Sequence, residues 1–281
     1  MVDEKRRVVL VTGASAGIGL AVAVRTAEAG HRTVATMRDV SREDTLRGSA
    51  QRVGVSVDVR QLDVTDQRSV DDCVQDVVAG YGRIDAVVNC AGIGRIGTVA
   101  ADPVDDFRTV METNFFGTVR VVRAVLPHLI TNRGRVITVT GLAGLVGQPL
   151  QEAYSASKFA VEGMMESFAP LASKLGVSVS LIVPGAVHSG VPLQLHAELQ
   201  NPREELQPYS ELVRGCLTRN TKEMGAAEPP RAVADSVVAT LSARRPPFRV
   251  ATAPLAIRTA RTKLVDLDGA LIQRMTTNWL R

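Results

Sequence analysis

The sequence predicts an α/β fold, one domain over residues 1–281 built on a doubly wound parallel sheet with helices on both faces. Three observations carry this reading. Short β-branched runs that end in turns alternate with stretches of helical apolar spacing as far as Gly185. The apolar side chains are mostly Val, Leu, Ala and Ile, with aromatics at only 4%, which suits strands buried on both faces. A chain of 281 residues, 45% hydrophobic and 22% charged, is long enough to bury one large core.

The elements follow in order. RVVLVTG (7–13) is the first strand, and residues 17–29 continue at helical spacing. HRTVATMR (31–38) reads as the second strand, and VSVDVRQLDV (55–64) contains the third. VDDCVQDVVAGYG (70–82) is a helix closed by glycine, and IDAVVNCAG (84–92) is the fourth strand. Residues 104–131 make one long helix through Gly117 and Pro127. RVITVT (135–140) is the fifth strand, 152–175 another long helix, and VSVSLIVPG (177–185) the sixth strand. Residues 186–228, with prolines at 192, 202 and 208 and no clear strand, read as an irregular lid or binding loop. PPRAVADSVVATL (229–241) is a helix opened by prolines, and FRVAT (248–252) is the last strand. Residues 255–281 form a basic, amphipathic tail with Trp279 near its end. Docking on its own domain or on a partner subunit is favoured over a membrane-surface helix.

Composition excludes several classes. The formal charge of +4 is spread over scattered arginines with few aromatics, which argues against a nucleic-acid partner. Cys73, Cys90 and Cys216 are too few and too far apart for a disulfide framework or a metal site. They point to a reducing, cytoplasmic setting, with Cys73 and Cys90 as packing residues. The apolar run before Thr12 is too short for a signal peptide, and no segment is long enough for a membrane span.

TGASAGIG (12–19) lies between the first strand and the first helix. Gly13, Gly17 and Gly19 allow a tight turn, and Ser15, Ala16 and Ile18 bring the backbone N–H groups of the helix N-terminus toward a pyrophosphate. Its spacing, Gly-x-x-x-Gly-x-Gly, resembles the short-chain dehydrogenase/reductase family, and the other motifs agree. Asn89–Cys90–Ala91–Gly92 is similar to the family's Asn-Asn-Ala-Gly turn, and Asn114 in ETNFFGT matches its helix asparagine. Tyr154 and Lys158 match its Tyr-x-x-x-Lys, and Pro184–Gly185 with Val187 and Ser189 resembles the turn that cradles the nicotinamide. The resemblance covers residues 7–190 strongly and 229–252 loosely. VTGASAGIGL, ATMRD, GTVR and YSASKFAVEG are most similar to the branch holding 17β-hydroxysteroid and retinol dehydrogenases.

The resemblance implies a Rossmann-type NAD(P)-binding domain. Met37 sits where an NAD enzyme carries its ribose-binding acid, and Arg38 beside it can fork onto a 2′-phosphate, with Ser15 adding a hydrogen bond. NADP(H) is therefore expected over NAD(H), although Asp39 is open to reading as the acid displaced by two. Asp63, with Val64, matches the residue facing the adenine.

Tyr154 and Lys158, four apart, share a helix face, where a cation favours tyrosinate. The resemblance makes Tyr154 the acid/base, lets Lys158 also hold the ribose, and gives Asn114 a place in a proton relay. The family's serine, thirteen residues before the tyrosine, falls on Gly141, which has no side chain to donate a hydrogen bond to substrate. Losing such a donor typically costs about a hundred- to a thousandfold in rate. Four readings stay open: Thr140 turns into the role, a water fills the space, the chemistry has changed, or the chain is a serine-to-glycine variant.

Leu142, Leu145, Val146, Leu150 and Val191 are expected to make an apolar substrate wall, with His188 beside it and Arg95 near the entrance. This implies a bulky apolar ketone or secondary alcohol, steroid-, retinoid- or polyketide-like, and no metal. The competing class is an NADP-binding protein of the same scaffold with non-redox chemistry, such as a cyclase or dehydratase. Family members associate through the two long helices, so a homodimer or homotetramer is expected.

Overall fold

Among residues 6–281, which the computed structural model describes, seven strands pair in parallel. They are β1 (Val8–Val11), β2 (Arg32–Met37), β3 (Asp58–Gln61), β4 (Ala86–Asn89), β5 (Arg135–Val139), β6 (Ser178–Val183) and β7 (Arg249–Ala251). Their order is β3-β2-β1-β4-β5-β6-β7. The chain builds outward to one edge, returns to pair β4 with β1, and builds outward to the other. The crevice beyond the carboxyl ends of β1 and β4 is where a ligand of such a sheet binds.

The period of two along each strand splits the core into two layers. In β1, Val8 and Leu10 pack with α3 (Gln67–Tyr81), α5 (Gly117–Asn132) and α6 (Glu152–Lys174), through Val74, Val121 and Met165 among others. Val9 and Val11 pack on the other face with α1 (Gly17–Glu28), α2 (Asp44–Arg52) and α9 (Pro230–Ser242), through Val22, Leu46 and Val237. Each such side chain removed from water contributes about 1.5–3 kcal/mol.

Three expectations change. Residues 104–131 are not one helix: α4 (Val104–Met111) passes into a π-turn at Glu112–Phe116 before α5 begins. The stretch 186–228 is not irregular. It holds α7 (Gly190–Gln200), a 3-10 segment (Glu204–Tyr209) and α8 (Ser210–Gly225). The prolines concealed this: Pro192 stands in the first turn of α7, where its missing N–H costs nothing. The short α2 carried no sequence signal strong enough to be expected.

The tail docks on its own domain, as α10 (Pro254–Val265) and α11 (Ala270–Asn278). Ala260 and Ile272 join Leu145, Val146 and Val183 in a separate apolar cluster, with Met275 and Trp279 at its margin. Arg219 of α8 stacks 3.4 Å from the Trp279 ring centre, so the tail also grips the lid. No helix among the described residues is long and apolar enough to cross a membrane.

Candidate active site

The glycine loop is fastened to its neighbours by the backbone. Ala14 N–H donates to Thr36 O at 2.9 Å, and Thr12 N–H to Val88 O at 3.0 Å. The buried Thr12 hydroxyl accepts from Cys90 N–H and Ala91 N–H at 3.1 and 3.2 Å, joining the ends of β1 and β4. Gly13 has φ +68°, and a β-carbon there would lie 2.7 Å from Ala91 Cα, so glycine alone fits. At Gly17, the start of α1, the preceding Ala16 offers no side-chain cap and the first turn holds no acid. Ser15, Ile18 and Gly19 complete that turn. An uncapped, acid-free helix N-terminus fits a pyrophosphate.

At the tip of β2, Met37 is only 2% exposed and packs in the core, so its side chain is withdrawn from any ribose. Arg38 is exposed. Asp39 Oδ1 accepts from Ser41 N–H and Oγ–H at 3.0 and 2.6 Å, capping a 3-10 turn, and those bonds hold its carboxyl below the usual range. Asp63 is used in a similar way, accepting from Thr65 N–H and Oγ–H at 2.9 and 2.7 Å. Val64 is buried against Gly117. Asn89 Nδ2 donates to Thr138 Oγ1 at 3.0 Å, while its buried Oδ1 has no partner among the described residues.

The chemistry-bearing side chains converge at Gly92. A β-carbon placed there would lie 3.1 Å from Asn114 Oδ1 and 3.5 Å from Lys158 Nζ. Asn114 occupies the π-turn, a feature that often marks functional sites. Its Oδ1 accepts from Ile93 N–H at 2.8 Å, and its Nδ2 donates to Ile93 O and to Ser157 Oγ, both at 2.9 Å. Ser157 Oγ–H in turn donates to Tyr154 O at 2.7 Å. Lys158 Nζ donates to Val139 O at 3.3 Å and lies 5.7 Å from the Tyr154 ring centre. Burial holds the Lys158 ammonium down at about 8, against a weaker upward pull from Cys90. Burial pushes the Tyr154 phenol up to about 12. Thiols are raised by burial too, Cys73 and Cys216 to about 11 and Cys90 to about 12, so none is a ready nucleophile.

Thr140 does not take over the missing serine's place. Its hydroxyl donates to Glu162 Oε1 at 2.7 Å, on the side of β5 that faces the body of α6. Glu162 Oε2 accepts from Arg249 Nη2 at 2.8 Å, which fixes the carboxylate. Successive strand side chains alternate, so the residue before the site points away from it. Gly141 itself has φ +83° and ψ 174°, a region essentially reserved for glycine. A β-carbon there would meet nothing within 4 Å. The position therefore has room for a side chain but a backbone that resists one.

The expected substrate wall is divided. Leu150 and Val191 belong to a cluster with Ile96, Leu195, Leu199 and Leu206 beneath the lid. Leu150 holds φ +59°, a strained setting for leucine. Leu142 is buried beside Gly141, whereas Leu145 and Val146 are turned under the tail and are withdrawn from a wall. His188 is exposed, with its N–H on Glu228 O at 3.1 Å, and is not gathered with Tyr154. Arg95 pairs with Asp106 rather than standing free at the entrance.

Glu228, Arg203, Asp102 and Glu198 position the expected residues without having been expected from the sequence themselves. Glu228 Oε1 accepts from Thr252 Oγ1 at 2.5 Å and Gly185 N–H at 3.4 Å, while Pro184 O accepts from Leu142 N–H at 3.1 Å. Val187 bridges to Glu228, and buried Ser189 precedes α7. Arg203 Nη2 donates to Asp102 Oδ1 at 2.7 Å, and Glu198 Oε2 accepts from Ile96 N–H at 2.7 Å, latching the lid over the 93–102 loop. A β-carbon on Gly94 would lie 2.7 Å from Val191 Cγ1, so α7 rests directly on that loop. These pairs join segments remote in sequence, and no local pattern announces them.

The chain is similar to known proteins over most of its length. The family model described as short chain dehydrogenase matches residues 7–199. Human retinol dehydrogenase 8 is 34% identical over 281 residues, covering 96% of this chain and 89% of that protein. Human 17-beta-hydroxysteroid dehydrogenase type 1 is 34% identical over 277 residues, covering 94% and 83%. The crystal structure of a short-chain dehydrogenase from Streptomyces avermitilis superposes with a TM-score of 0.80 at 27% identity, covering 98% of each chain.

Proposed function

The chain belongs to the short-chain dehydrogenase family, and from that premise we propose that it is an NADP(H)-dependent oxidoreductase acting between a bulky apolar ketone and its secondary alcohol. The observation that carries this is the meeting of Lys158 and Asn114 at Gly92, with the Tyr154 ring beside Lys158 and its carbonyl linked to Asn114 through Ser157. Gly13 through Gly19 would hold the pyrophosphate, Lys158 the ribose, and residues 184–189 the nicotinamide side, which when bound supplies the hydride. NADP(H) is favoured because Arg38 is exposed while Asp39 is occupied by Ser41. Steroid- and retinoid-like substrates are favoured by the apolar cluster at Leu150 and Val191 and by the similarity to enzymes named for such compounds. Exposed Phe116, Phe159 and Leu171 on and beside the two long helices favour a homodimer or homotetramer.

A tyrosine titrating at about 12 keeps its proton at neutral pH, so Tyr154 is ready to protonate the alkoxide left by reduction. In the reverse direction the Lys158 cation favours tyrosinate. With no hydroxyl at residue 141, substrate oxygen is held by Tyr154 and by water in the open space beside Gly141. The alternative is non-redox chemistry on bound NADP, favoured by that missing donor alone.

The test follows NADPH absorbance with a panel of apolar ketones for the wild type and Tyr154→Phe. Turnover is expected in the wild type and a fall of about a thousandfold in the variant, with NADPH affinity kept. NADPH binding without oxidation by any ketone in the panel would favour the non-redox alternative.

A further inference from the structure

We propose that the corner between α10 and α11 is a docking surface for an anionic lipid bilayer. At this turn Leu264 is 64% exposed, Val265 73% and Leu267 99%, and Leu271 follows at 50%. Single exposed leucines are ordinary on a protein surface, but four around one turn form a projecting apolar tip. The opposite side of the tail is anchored through Ala256, Thr259, Ala260 and Ile272, so the tip is held outward in a fixed orientation.

Charge decides what covers it. Arg258, Arg261 and Lys263 of α10 and Arg274 of α11 lie within two helical turns of the tip, and no ion pair engages them among the described residues. The two acids at the turn face the N-terminus of α11 and keep their charge, so four cations against two acids leave an excess of two positive charges. Asp266 accepts from Leu271 N–H at 3.2 Å and Ile272 N–H at 2.8 Å, and Asp268 from Ala270 N–H at 3.0 Å. An apolar tip on two helices with a net excess of cations fits the boundary between anionic headgroups and acyl chains. A second copy fits less well, because a two-fold contact would set two surfaces of the same net positive charge against each other.

The docking is peripheral, since no described helix can cross the bilayer. It does not depend on the proposed reaction. If that reaction is right, the tip would bring a site for apolar molecules to the phase in which they dissolve.

The experiment is co-sedimentation of the full chain with vesicles of phosphatidylcholine alone and of phosphatidylcholine with phosphatidylserine. Partition onto the anionic vesicles is expected to be about tenfold stronger or more, and to weaken as salt is raised. The double variant Leu264→Glu with Leu267→Glu should lose that gain at an unchanged melting temperature. Leu267→Ser, at the most exposed position, should lose part of it and guards against a folding artefact. Equal binding to both vesicles, or anionic binding that survives the double variant, would overturn the proposal. So would an oligomer that the double variant disperses in the absence of vesicles.

Discussion

On the cofactor side, residues 12–19 are held by main-chain contacts and one buried hydroxyl: Ala14 to Thr36, Thr12 to Val88, and Thr12 Oγ1 under Cys90 and Ala91. On the substrate side, the lid is held by side chains reaching across loops: Arg203 to Asp102, Glu198 to Ile96, Gln194 to Gly94 and Arg219 to Trp279. Main-chain ties cannot be released without unravelling strand ends. Side-chain ties can be exchanged singly, by rotation about a few bonds. The difference teaches that one half of the site is a rigid mould while the other can open to admit a ligand.

The comparison can be broken at matched positions. Gly13 and Gly141 both have positive φ, but one is crowded and the other open. Gly13→Ala combines backbone strain with a clash on Ala91, and should cost about 4 kcal/mol in urea unfolding and abolish NADPH binding. Gly141→Ser meets no clash and should cost about 2 kcal/mol of strain, without a gain in ketone reduction. A faster Gly141→Ser enzyme would mean the turn reshapes to accept the missing hydroxyl.

Lys158 stands at the seam of the two halves and gives the smallest effect. Its pKa is about 8 in the folded chain against 10.5 for the unperturbed group. Between those values the unfolded chain binds the extra proton, so stability rises with pH across that window. Relative to Lys158→Met, the wild type should gain about 1 kcal/mol from pH 7 to pH 9 in urea titrations. No pH-dependent difference would mean that the ammonium is better solvated than its burial suggests.

What could be read from the sequence follows the same division. The strands, the glycine loop and the Tyr154–Lys158 pair depend on local spacing, and they lie where that spacing puts them. The helices of the lid were hidden because Pro192, Pro202 and Pro208 look like breakers unless their places in a first turn, a linker and a 3-10 segment are known. Met37 matches a family position by resemblance, yet strand alternation turns its side chain into the core. Gly141 was legible as a missing side chain but not as a backbone in a glycine-only region. Its torsions depend on contacts such as Leu142 N–H to Pro184 O, more than forty residues apart in sequence.

Asn114 has one more consequence, in the ageing of the molecule. An asparagine can lose its side-chain amide to hydrolysis, which leaves an aspartate of nearly the same outline with no N–H to donate. At this position the new oxygen would face Ile93 O, 2.9 Å away in the intact site, and a charge would stand close to Lys158. Attack on the amide requires the following backbone nitrogen to swing inward. The π-turn and near-complete burial hold that nitrogen in place. The packing that gathers the candidate site's groups therefore also preserves them, and a stored sample should lose its surface asparagines first.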